Sequence, residues 1–168
     1  MFGTILIAIT CSNCANKKER PSPLRADSTS VGDTSIKLEY SSPSVRGREI
    51  FGIGSGYLVP YKSLWRTGAN KSSSISINQD IIIDSTRVSK GTYSIFTIPD
   101  AKTWIVIFNK DSEQWGSTYY QDSLDVFRKR VGITRTKDLK EKMRFYIKND
   151  SLKFEWEYIR WGIPVTSL

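Results

Sequence analysis

Histidine is absent from this chain, and that absence removes more chemistry than any other. Without imidazole there is no Ser-His-Asp triad, no Cys-His pair and none of the usual catalytic zinc sites. An enzyme built on this sequence would have to work with carboxylates, Lys, Tyr or Ser. Cysteine is nearly as scarce: Cys11 and Cys14 are the two present, both near the N-terminus. The rest of the chain therefore carries neither a disulfide nor a thiolate metal site. The apolar run Phe2–Thr10 is short as well. It falls far below the ~20 residues that a transmembrane helix needs.

That run does match the length of a signal-peptide core. Cys11 follows at once, then Ser12, Asn13, Cys14 and a polar stretch to Asp33. The arrangement resembles a bacterial lipoprotein signal, in which a cysteine becomes the lipidated first residue and holds the protein in the cell envelope. Ala8-Ile9-Thr10 departs from the residues preferred before such a cysteine, and the basic leader is missing, as it would be if the start lay upstream of Met1. Two other readings stay open: a frayed apolar tail with incidental cysteines, and a strained Cys11–Cys14 disulfide. On the lipoprotein reading, residues 1–14 are the signal segment, 15–33 a flexible polar tether, and 34–168 one folded domain.

Charge is the next feature. The net charge is +8, which raises nucleic acid as a partner. The cations fall in the tail (Lys17, Lys18, Arg20, Arg25) and in a later segment from Arg128 to Arg144, where Asp138 and Glu141 interrupt them. No Gly-rich or RNA-binding signature accompanies them. A solvated basic surface is the better reading, and nucleic acid is disfavoured. Attraction to an anionic membrane or surface polymer needs nothing more specific than this.

With 39% hydrophobic and 12% aromatic residues the chain can bury a sizeable core. From Ile36 the pattern has period two: Ile36, Leu38 and Tyr40 alternate with Lys37 and Glu39, as in a half-buried strand. Ser73–Ile77, Ile81–Ile83 and Thr92–Ile98 read as further strands. Trp104–Phe108 is apolar at every position and suits a central strand covered on both faces. Asn149-Asp150 reads as a two-residue hairpin turn. It sets Ile147 opposite Leu152, Phe145 opposite Phe154 and Met143 opposite Trp156, with Arg144–Glu155, Lys142–Glu157 and Tyr146–Lys153 on the other face. A one-residue slip would ruin both sets. Helix is scarce: Asp138–Lys142 is expected to make a short helical turn, and Gln121–Arg128 is ambiguous between strand and helix. The expected fold is all-β, an antiparallel sandwich or barrel-like arrangement of about eight to ten short strands.

Four blocks carry a family resemblance: Tyr40–Gly52; Val59–Lys71, with Pro60-Tyr61 and Trp65-Arg66-Thr67-Gly68-Ala69-Asn70; Lys90–Pro99; and Trp104–Asp111 leading to Gln114-Trp115-Gly116. In these the chain, from about Ile36 to its end, resembles the bacterial DUF2911 proteins, a domain of unknown function. The resemblance implies an all-β fold and a secreted or lipid-anchored protein, and it implies no reaction. In the family a glycine and then a lysine usually follow Pro60-Tyr61; Lys62-Ser63 stands here, which puts the shape of that turn in question.

The same blocks hold the candidate site. Arg46, Arg48 and Glu49; Trp65, Arg66, Asn70 and Lys71; and Asn109, Lys110, Gln114 and Trp115 all border strands, and they are expected to meet at one end of the sheet. Two indole faces with Arg, Asn and Gln donors suit a glycan or a small anionic ligand. Trp and Arg are also favoured where proteins meet proteins. The opposite reading makes the same residues structural: arginines paired with Glu49 or Asp111, indoles filling the core, asparagines holding turns. The leading expectation is a non-enzymatic binding or interaction module with no cofactor, no metal and no catalytic residues. Its partner would be an unidentified small molecule, glycan or protein, and it would be lipidated on Cys11. The alternatives are a histidine-free hydrolase of surface glycans or peptides using Glu49 or Asp111, and a purely structural envelope domain.

Overall fold

The computed structural model describes residues 21–168. The apolar run, Cys11 and Cys14 lie outside the described residues. The described chain is all-β, with strands at β1 Leu24–Val31, β2 Thr34–Ser41, β3 Phe51–Gly52, β4 Val59–Pro60, β5 Ser73–Ile77, β6 Ile81–Ile83, β7 Thr86–Val88, β8 Gly91–Ile98, β9 Thr103–Asn109, β10 Asp125–Gly132, β11 Thr134–Ile147 and β12 Ser151–Ser167. They form a six-stranded sheet ordered β1-β2-β5-β8-β9-β10, a four-stranded sheet ordered β11-β12-β6-β7, and a small parallel pair β3-β4. The two large sheets are antiparallel and open at their edges. This is a sandwich, not a closed barrel.

Alternation places the core. Ile36, Leu38, Ile75, Ile95, Trp104, Val106 and Phe108 point inward from the larger sheet, and Ile83, Phe145, Phe154, Trp156, Ile159 and Trp161 from the smaller. Rings join the layers directly: Trp104 lies 5.2 Å from Phe154 and Trp65 5.7 Å from Trp156, centroid to centroid. β9 runs between β8 and β10 and is covered on both faces, as its unbroken apolar run requires. On its outer side Ile107 and the neighbouring Phe96 are fully buried, with Tyr120 seated on Phe96 at 5.0 Å.

Two segments form strand where none was expected. Residues 24–31, expected within a flexible tether, form β1 and pair in full register with β2 from Leu24↔Ser41 to Val31↔Thr34. Only Val31 of that strand is buried. The strand is held by its backbone ladder and leaves no hydrophobic alternation to read. Asp138–Lys142 is strand within β11, not a helical turn. Its neighbour is the segment at Pro43–Val45: Val45 N–H donates to Glu141 O at 2.8 Å and Met143 N–H to Pro43 O at 2.9 Å. Pairing of this kind overrides the weak helical preference of Asp-Leu-Lys-Glu-Lys. Gln121–Arg128 resolves into a 3-10 turn at Asp122–Leu124 followed by β10.

The C-terminal hairpin follows the expected register near its tip, with Arg144↔Glu155, Phe145↔Phe154, Tyr146↔Lys153 and Ile147↔Leu152. Asn149 and Asp150 both take left-handed backbone, at φ 50° and 47°, the conformation a tight two-residue hairpin asks for. Beyond Glu155 the register shifts, and Glu157 faces Lys140 rather than Lys142. The turn at Lys62 takes the left-handed backbone that favours glycine. Lys62 sits at φ 63° and donates its N–H to Pro99 O at 2.7 Å. For a residue with a side chain that conformation costs backbone strain.

Candidate functional site

Trp65 is where the second expected block meets the sandwich. Its backbone exchanges two hydrogen bonds with Thr97, at 2.8 and 2.9 Å, which adds the loop to the edge of β8. The Trp65 side chain is 7% exposed, and its indole N–H donates to Gly68 O at 3.2 Å. Thr67 anchors the bend from inside: its hydroxyl reaches Thr97 Oγ1 at 3.1 Å, and its carbonyl accepts from Ser73 Oγ at 2.6 Å. Gly68 is required by proximity, since a Cβ there would stand 2.9 Å from Ser73 Oγ and 3.2 Å from Ser41 O. Trp65 is therefore an interior residue, and the expected rim of two indoles has one. Arg66 is half-buried with its Nε unpartnered among the described residues, and burial lowers the pKa of its guanidinium.

The loop then emerges and clasps the third block. Lys71 forms an antiparallel bridge with Trp115, Ser72 N–H donates to Gln114 O at 3.0 Å, and Gly116 N–H donates to Asn70 O at 3.3 Å. This clasp holds Trp115 70% exposed. Asn109, by contrast, is wholly buried and structural. Its amide donates to Gln121 O and to Asp125 Oδ1, both at 2.8 Å, and its oxygen accepts Asp111 N–H at 3.1 Å. Asp125 also accepts from Tyr120 at 2.7 Å and Arg128 at 3.0 Å. Burial, then that Asp125 hydrogen bond and charge, push the Tyr120 phenol up to about 12. Gln114 lies buried beside Asn109, its Oε1 unpartnered among the described residues. Lys71 pairs with Glu113 at 2.6 Å, and Lys110 is exposed.

The first block reaches this surface only through Arg46. Its guanidinium donates to Pro21 O at 3.3 Å. Pro21 and Ser22 then wall a cleft of about 420 Å³ whose other side is Asn70 and Trp115. Asn70 is held in place by donating to Ser41 Oγ at 3.3 Å. Arg48 turns back on its own loop, donating to Val45 O at 3.1 Å and Ser44 O at 2.6 Å. Asn70 and Trp115 thus line one concavity, with Arg46 bonded to its Pro21 wall and Lys71 bridged to Trp115, while Arg48, Glu49, Trp65 and Asn109 do not line it.

The two carboxylates proposed for hydrolysis have separate settings. Asp111 accepts Glu113 N–H at 3.2 Å and so holds its own turn. Glu49 lies near Glu157 instead. Glu157 is a residue that sequence reasoning misplaced as an exposed partner of Lys142. It sits at φ 54°, and its Oε1 accepts Ile50 N–H at 3.1 Å. Burial raises its pKa, the Ile50 hydrogen bond and the Arg135 charge pull it partway back, and the Glu49 charge adds to the rise. Among the described residues no three Asp, Glu or Cys side chains gather as metal ligands would. A second concavity, of about 660 Å³, lies elsewhere, inside the β11–β12 hairpin, and none of the expected site residues lines it.

A sandwich with a clasped loop pair at one edge is the architecture, and residues 22–165 match the family model described as protein of unknown function DUF2911. The chain belongs to the DUF2911 family. No curated protein and no solved structure matches it.

Trp65→Ala should destabilise the fold by about 3–5 kcal/mol in urea unfolding, as loss of a large buried ring does. Trp115→Ala should stay within about 0.5 kcal/mol of the parent. Equal effects would refute this assignment of interior and rim. Glu157 binds its proton more tightly folded than unfolded, so its contribution to stability is greatest at low pH. That contribution is lost as pH rises through the raised pKa. Glu157→Gln keeps the acceptor for Ile50 and removes the titration. Between about pH 4 and pH 7 the parent should lose stability relative to this variant; parallel profiles would contradict the raised pKa.

Proposed function

We propose that this protein is a non-catalytic binding module of the bacterial cell envelope, anchored through lipid on Cys11. Its ligand is a glycan or a small anionic molecule taken at the Trp115 cleft. The observation that carries the reading is an exposed indole on a stiff base. Trp115 stands 70% in solvent, yet its backbone is bridged to Lys71, whose loop is rooted by Trp65 in the core. A solvent-facing ring adds little to folding, whereas a ring held still can stack on a sugar without a large ordering cost. Asn70 supplies the polar group that orients a ligand, and Arg46, bonded to the Pro21 wall, supplies positive charge at the margin. The apolar run ending at Cys11 and the basic composition fit attachment at an anionic membrane surface.

Binding of glycans and organic acids to the purified full chain tests the ligand. At least one captured ligand should bind at least about tenfold more weakly to Trp115→Ala, whose unfolding midpoint should be unchanged. If none of the captured ligands responds to Trp115→Ala, the site is overturned. Metabolic labelling with a palmitate analogue tests the anchor: label should enter the parent and vanish in Cys11→Ser, and label persisting in that variant would overturn the assignment to Cys11.

A further inference from the structure

The long hairpin β11–β12 is hooked. Near its tip Arg144 faces Glu155, but nearer its base Thr134 faces Arg160 and Arg135 faces Ile159, with shifts of register between. At the corner stands Glu157, in left-handed backbone. Beyond it β12 doubles back toward its own start. Val165 N–H donates to Asp150 O at 2.8 Å, and Arg160 Nε donates to Glu155 Oε2 at 3.1 Å. Lys153 lies against Gly162, where a Cβ would come within 3.1 Å of the lysine Cδ. The hook encloses a cleft of about 660 Å³.

Its charge is one-sided. Lys148, Lys153 and Arg160 line it, together with Tyr146, Asn149 and Ser151, and no carboxylate does. Glu155 lies beneath, held by Arg160 Nε, with its side chain only 15% exposed. Among the described residues neither lysine has a carboxylate within ion-pair distance, and Arg160 commits only its Nε. Three cations in one concavity repel each other, and a concave wall of low dielectric focuses their field on whatever enters. An oxyanion relieves that repulsion. Guanidinium can meet it with paired donors, and the two ammonium groups can meet it from other directions. Asn149, Ser151 and the Tyr146 hydroxyl add neutral polar groups suited to the hydroxyls of a sugar-sized body.

We propose that the hook of the β11–β12 hairpin is a second binding site, separate from the Trp115 cleft, for a small molecule of sugar-phosphate size bearing two or more oxyanion charges. The charge is carried by phosphate, sulfate or carboxylate groups, which share this recognition chemistry. The cleft has no lining residue in common with the Trp115 cleft, so the two readings stand or fall independently.

Calorimetric titration of the full chain at low salt, with glucose 6-phosphate, glucose 6-sulfate, citrate and pyrophosphate as probes and glucose as the neutral control, tests this. At least one anion should bind while glucose does not, and raising salt from about 50 to about 500 mM should weaken it. The preferred probe identifies the charged group. The double variant Lys148→Gln/Lys153→Gln should weaken binding at least about tenfold, and Trp115→Ala should leave it unchanged. Gly132 provides a control without charge change. It lines the cleft, and a Cβ there meets nothing within 4 Å. Gly132→Gln should therefore fill the space without strain, block the probe and preserve the unfolding midpoint. Failure of all four anions to bind overturns the proposal. So does binding that survives both the double variant and the Gly132 plug, or binding lost in Trp115→Ala alone.

Discussion

Trp65 lies nearly parallel to Trp156, 21° between planes, and edge-on to Phe51, with centroids 5.7 and 5.6 Å away. Phe51 in turn meets Trp104 at 4.8 Å, and Trp104 meets Phe154, which stacks on Trp161 at 5.2 Å. Through this run of rings the six-stranded sheet, the four-stranded sheet, the short β3–β4 pair and the Trp65 loop are packed as one body. Each ring brings a large buried area and about 0.5–1.5 kcal/mol per aromatic pair beyond it. The arrangement also has a cost. The indole N–H groups of Trp104, Trp156 and Trp161 are buried without an acceptor among the described residues. An unmet donor costs about 1–3 kcal/mol, so shape rather than hydrogen bonding placed these rings.

That constraint explains which parts of the surface are rigid. The chain leaves the core at Trp65, is pinned by Thr67 and Ser73, and reaches solvent at Asn70 and Lys71 with little freedom left. Trp115 inherits that rigidity through its bridge to Lys71. Both indoles lie on loops with a glycine close by, yet one roots the loop and the other is carried by it. What separates them is the partner strand: Trp65 pairs with Thr97 inside the sandwich edge, while Trp115 pairs only with another loop.

Strands whose two faces differ were legible from the residues, because burial alternates along β2 and both arms of the hairpin tip, while β5 and β8, buried at successive positions, were legible from their β-branched and aromatic residues. The unbroken apolar run of β9 was legible for the complementary reason: its outer face is also covered. β1 was not legible, since a strand held mainly by its ladder can carry Arg25, Asp27, Ser28 and Thr29 without penalty. Nor was the stretch Asp138–Lys142, where tertiary pairing with Pro43–Val45 decides against local preference. Of the site, the meeting of the Trp65–Lys71 and Asn109–Trp115 blocks could be anticipated from strand ends. The burial of Asn109 could not, because its partners Gln121 and Asp125 lie on a connection that showed no clear pattern.

The hooked hairpin escaped for a deeper reason, which rests on Glu157. Simple alternation continues the tip register straight through Glu155 to Glu157 and yields a flat ribbon with alternating charge. One residue in left-handed backbone changes that geometry, and for a residue with a side chain it costs about 1–2 kcal/mol. Glu157 sustains it because its neighbours leave no alternative. Trp156 and Ile159 on either side are buried in the core at 0% and 1% exposure, and Ile50 donates to its carboxylate. The corner turns Lys148, Lys153 and Arg160 from points along a ribbon into three walls of one concavity. A surplus of basic residues that reads as diffuse surface charge in one dimension thus becomes a localised field, and its cause is the same aromatic packing that fixes the rest of the fold.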